Sequence, residues 1–209
     1  MSRTRLVLEV LMVFGVLPLA YASAIHYLAW TLLPLLIAIG IGTFIFLRRD
    51  PTFDHKQFWN PAPIRRELPT ILAVWAGGAV AGYFLIRLFR PELLFNLPRF
   101  HPLLWAAVCL LYPLLSVYPQ ELFWRALFFH RYRPVFRSDG AMILASAVAF
   151  GWIHIVMRNW LAVGLSFGGG LLFGWRYART RSLATTSLEH ALWGILIFTL
   201  GLGTYFYAR

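Results

Sequence analysis

Seven apolar stretches divide the chain, at 6–22, 25–47, 70–88, 103–130, 141–157, 160–175 and 183–207. Arginine and proline concentrate in the segments between them. A helix rises about 1.5 Å per residue, so about 20 apolar residues cross the hydrocarbon of a bilayer. The pattern predicts an all-α, polytopic membrane helix bundle of seven transmembrane helices, with room for an eighth short or re-entrant segment. It reads as one integral-membrane domain over 1–209, its chemistry-bearing core at about 103–207. The fourth stretch is long for a single span. Pro113 and Pro119 predict a kink there, or two shorter pieces. Small residues mark close-packing faces, with Gly77, Gly78 and Gly82 in the third stretch and Gly164, Gly168, Gly170 and Gly174 in the sixth.

Composition agrees: 60% of residues are hydrophobic and only 13% charged, against about 25% charged in soluble domains. Mean hydropathy is +0.68. The formal net charge is +11, and Lys56 is the one lysine among 19 cations. These cations flank the apolar runs, which is the pattern of membrane orientation and anionic headgroups and argues against nucleic acid. With the N-terminus in the cytoplasm, thirteen cations fall on inner segments and five, including Arg209, on outer ones. That asymmetry orients the chain with the 131–140 loop inside, as expected for a bacterial inner-membrane protein. Arg3, Arg5 and the Ala20-Tyr21-Ala22 run imitate a signal peptide, but Glu9 and the apolar run that follows favour an uncleaved first helix. The polar connection at 48–69, with Phe53, Phe58 and Trp59 among its cations, reads equally as a lipid-touching loop or a plain cytoplasmic link. Cys109 is alone, so no intrachain disulfide forms.

Away from the span ends, the ionisable residues are Glu9, Glu121, Arg125, His154, Glu189 and His190. Glu121 and Arg125 are four apart, so a helix puts them on one face. Counting along the helices, Glu121, His154 and His190 lie about 15, 20 and 13 Å from the cytoplasmic boundary, depths compatible with one cluster. Charged groups at such depth pair or do chemistry. A carboxylate beside two imidazoles can deprotonate a water and stabilise the oxyanion formed when it attacks an amide. Glu121, His154 and His190 also match a catalytic zinc site by ligand type, although no His-Glu-x-x-His motif supports it. Glu189 points about 100° away from His190 and reads as an ion-pair partner of an arginine elsewhere.

Three short motifs accompany these residues: Gln120-Glu121-Leu122-Phe123-Trp124-Arg125, Phe150-Gly151-Trp152-Ile153-His154, and His190-Ala191-Leu192-Trp193-Gly194. Their order and spacing resemble the CPBP (CAAX-processing and bacteriocin-processing, or Abi) family of intramembrane proteases. Its pattern is Glu-Glu-x-x-x-Arg, Phe-x-x-x-His and His-x-x-x-Asn or a variant. The resemblance covers about 115–200. It implies an intramembrane endopeptidase acting on a membrane-associated protein or peptide, of the glutamate type rather than the metal-dependent one. Glu121 is then the water-activating base, Arg125 orients it, and His154 and His190 stabilise the oxyanion. Two positions depart from the pattern. Gln120 replaces the glutamate usually assigned as the base, and Gly194 offers no side chain. Those departures carry the alternative, a catalytically impaired scaffold or immunity-type protein. A proton-coupled transporter is a third reading, and the absence of a visible internal repeat counts against it.

Overall fold

The computed structural model describes residues 2–206, and of His26 the backbone alone. The expected end of the seventh span at Tyr207 and the outer cation Arg209 lie outside the described residues. Among the described residues there are helices and no strands. Seven long helices follow in order: α1 (Arg3–Ile25), α2 (Ala29–Arg49), α3 (Ile64–Phe89), α4 (Pro102–Arg131), α5 (Asp139–Met157), α6 (Trp160–Thr180) and α7 (Leu183–Leu200). All but α6 are long and apolar enough to cross a membrane. The glycines and the polar last turn of α6 lower its hydropathy. It lies along α5, where Gly170 backs onto Ala147 so closely that an added Cβ would sit 2.8 Å from the Ala147 Cα. The polytopic all-α bundle is thus borne out.

Local chemistry sets the helix ends. The Ser138, Asn159 and Ser182 side chains accept hydrogen bonds from the Ala141, Ala162 and Thr185 amides, capping α5, α6 and α7. Gly201, at φ 104°, ends α7 against the Leu93 carbonyl, where only glycine fits.

α4 does not break in two. It runs for 30 residues and absorbs its prolines in π-helical turns at Pro113–Val117 and Leu122–Leu127. Proline lacks the amide proton and crowds the carbonyl four residues back, and a wider turn relieves both. The expected small-residue face of α6 also divides. Gly170 and Gly174 meet α5, whereas Gly164 and Gly168 face a cavity. Positions 164 and 168 share one face of the helix, and 170 lies 240° round from 164.

The connection at 48–69 is neither loose nor purely interfacial. Phe53 and Phe58 are buried in the main core, and the Phe58 carbonyl accepts from Tyr118 Oη at 2.9 Å. Tyr177 Oη donates to Gln57 at 2.7 Å. Asp50 accepts from Thr52 and His130, which holds its carboxyl at about 2. These contacts close the 48–69 end of the bundle. Phe14 of α1 centres an aromatic cluster with Phe123, Trp124, Phe128 and Tyr132, at ring separations of 5.1–5.6 Å. Glu9 is tied to Arg131 and accepts from Tyr132 Oη at 2.8 Å.

Candidate functional site

Consecutive residues on a helix point about 100° apart, and α4 uses that angle to separate Gln120 from Glu121. Gln120 faces a cavity of about 1600 Å³ that is walled mostly by apolar side chains from all seven helices, leucine the commonest. Glu121 points the other way and is fully buried. One of its oxygens accepts from His190 Nδ1 at 2.8 Å, and the other lies 3.3 Å from Arg125 Nε. Arg125 is also fully buried; its Nη1 donates to Ser146 Oγ at 2.8 Å, and its guanidinium sits 5.0 Å over the Phe150 ring. The guanidinium offsets the desolvation of the carboxylate, and the aromatic faces shield the pair from water.

His190 is held on three sides. Glu121 takes its Nδ1–H, Phe173 stacks on its ring at 4.5 Å, and Phe150 meets it edge-on at 5.7 Å. A carboxylate only accepts, so the proton of a neutral His190 sits on Nδ1 and Nε2 carries the lone pair. His154 reaches the same cavity from the end of α5. Its Nδ1 lies 2.8 Å from the Phe150 carbonyl, which also only accepts. Its Nε2 therefore presents a second lone pair. Gln120 Nε2 donates to Ser116 Oγ at 2.8 Å, leaving its carbonyl oxygen to accept.

The structure thus places the five sequence-selected residues around one site, but in two layers. Gln120, His154 and His190 line the cavity; Glu121 and Arg125 stand behind His190. The zinc set Glu121, His154 and His190 is not assembled as ligands. One Glu121 oxygen is taken by His190 and the other faces Arg125 without a hydrogen bond, and among the described residues no three His, Cys, Asp or Glu side chains gather round one point. So placed, these residues do not fit a metal.

Sequence reasoning missed two features. Tyr112, Ser116 and Gln120 recur every four residues and form a polar stripe down the cavity face of α4; that spacing within an apolar run was the signal available. A second buried ion cluster lies outside the cavity. Arg176 holds Glu189 through two bonds of 2.8 and 2.9 Å and also binds Glu67, which takes Arg179 at 3.1 Å. This supplies the arginine partner anticipated for Glu189 and clamps α3, α6 and α7 together.

Residues 101–196 match the family model described as Type II CAAX prenyl endopeptidase Rce1-like. No curated protein and no solved structure matches the chain. The matched segment contains all three motifs, the Glu121–His190 contact and the two cavity histidines. Over that segment the chain is similar to the Rce1-like, type II CAAX prenyl endopeptidases.

Proposed function

We propose that this chain hydrolyses a peptide bond of a membrane-associated protein or peptide drawn into the cavity, with His190 as the base and Glu121 as its partner. The observation that carries the reading is the 2.8 Å Glu121–His190 Nδ1 contact behind a cavity-facing Nε2. A water in the cavity gives its proton to Nε2 while its oxygen attacks the carbonyl carbon. The buried carboxylate stabilises the imidazolium that forms, and the imidazolium returns the proton to the leaving nitrogen as the C–N bond breaks. Glu121 therefore acts through His190 rather than on the water directly. Arg125 pairs with Glu121 and orients it. Gln120 has no basic lone pair at neutral pH, and it positions the water or the substrate amide through its free carbonyl. His154 offers its Nε2 lone pair to the same water or to a substrate N–H.

The bilayer is the second partner in this reading. Placed by its cations, the protein sits in a bacterial inner membrane with its N-terminus and the 131–140 loop in the cytoplasm.

The test is cleavage by the purified chain in nanodiscs, using membrane-anchored peptides that include S-prenylated ones. Cleavage by the unmodified chain and its loss in His190→Ala support the reading. Gln120 and Gly194 favour a second one, a relative that keeps the scaffold without turnover. Absence of cleavage across the whole panel supports that instead.

A further inference from the structure

The proposed reaction has one further requirement. An oxyanion forms at the scissile carbonyl, and a donor must face it. In their neutral forms both cavity histidines present lone pairs rather than protons, by the argument from their Nδ1 partners. Gln120 spends one of its two amide protons on Ser116, and Trp193 Nε1–H at the cavity wall has no hydrogen-bond partner, but neither hydrogen-bonds to His190.

One hydroxyl stands beside His190 at the cavity wall. Tyr112 Oη lies 3.4 Å from His190 Nε2, and the two rings meet edge to face at 6.2 Å. With the Nε2 position unprotonated, the phenol is the donor of that contact. Both residues line the cavity. The space Tyr112 occupies is set by Gly194, one turn beyond His190 on α7. A Cβ built on Gly194 would lie 2.4 Å from Tyr112 Oη and 2.3 Å from its Cε1. Real Cβ atoms do not come so close, so any side chain at 194 would displace the phenol. The third motif ends at this same position, where the resembling pattern carries Asn.

We infer that Tyr112 is a catalytic residue of this chain, its hydroxyl occupying the space that a side chain at position 194 would fill and donating to the oxyanion of the proposed reaction. At rest the phenol O–H caps the His190 lone pair over a long 3.4 Å contact. When water takes up that lone pair, the O–H turns to the carbonyl oxygen and keeps its proton throughout. Gly194 is then not a lost function but the vacancy that admits the phenol. The inference rests on the hydrolase reading above.

Three readouts test it. Tyr112→Phe keeps the ring and removes the donor, so kcat on a cleaved peptide should fall on the order of 100-fold with KM little changed, as for a lost oxyanion donor. An unchanged kcat overturns the role. In protein carrying ¹⁵N-histidine, the His190 Nε2 resonance should move downfield in Tyr112→Phe; no movement overturns the contact. Gly194→Asn should lower the thermal midpoint, and adding Tyr112→Ala should recover part of the loss. Equal midpoints for Gly194→Asn and the unmodified chain overturn the shared space. Cleavage abolished by His190→Ala but untouched by Tyr112→Phe defeats the Tyr112 role alone. No cleavage by the unmodified chain defeats the hydrolase reading and this role with it.

Discussion

Removing Arg125 should expose how much of the site depends on one buried charge. Glu121 and Arg125 are both fully buried, 3.3 Å apart. In Arg125→Leu the carboxylate keeps only its bond from His190, and no water reaches it. Breaking a buried pair from one side costs about 3–5 kcal/mol, because the remaining charge is uncompensated. For a chain of this size each kcal/mol lowers the midpoint by about 2–4 °C, so a fall of roughly 6–20 °C is expected. Arg125→Lys keeps the charge but loses the 2.8 Å bond to Ser146, a charge-assisted contact worth about 1.5–3 kcal/mol. It should therefore fall less. Glu121→Gln combined with Arg125→Leu removes both charges and should recover much of the loss. Thermal unfolding in one detergent, run as a double-mutant cycle, measures the coupling. If Arg125→Leu melts with the unmodified protein, or the double variant is no better than the single, the ion pair is not what holds α4 here.

Three further outcomes follow from the same arrangement. With Cys109 replaced, a cysteine at Ser138 should resist an impermeant thiol reagent added outside intact cells, and labelling would reverse the orientation read from the arginines. Gln120→Glu places a carboxylate on the cavity face next to the water and should keep or raise turnover; a collapse of turnover would show that the amide itself is required. Cleavage should survive excess zinc chelator, whereas a loss restored by added zinc would mean that ligands gather in a way the present side-chain positions do not.

Much of this was legible in the residues. Apolar run lengths gave the spans, and helical spacing put Glu121 with Arg125. Depth counting grouped Glu121 with the histidines, because distance along a helix is nearly fixed. Side-chain direction was harder to read. Glu121 and Gln120 are adjacent in sequence, and which of them meets the cavity depends on the rotation of α4, which the π turns at Pro113–Val117 and Leu122–Leu127 alter. Glu67 falls in the polar connection at 48–69, and its partners, Arg176 and Arg179, are more than a hundred residues away. Tyr112 is one of many aromatics within the apolar runs. Its role emerges only from the absent side chain of Gly194 on another helix.

The most direct test of the Glu121–His190 pair is the turnover of Glu121→Gln in nanodiscs against any peptide that the unmodified chain cleaves. The amide is nearly isosteric but cannot stabilise an imidazolium, and it lets His190 adopt the wrong tautomer. An orienting carboxylate lost in this way costs about 10⁴ in kcat in the serine-protease triad. The account predicts a fall of that order, at least about 100-fold, with the protein still folded. Full cleavage by Glu121→Gln would contradict it.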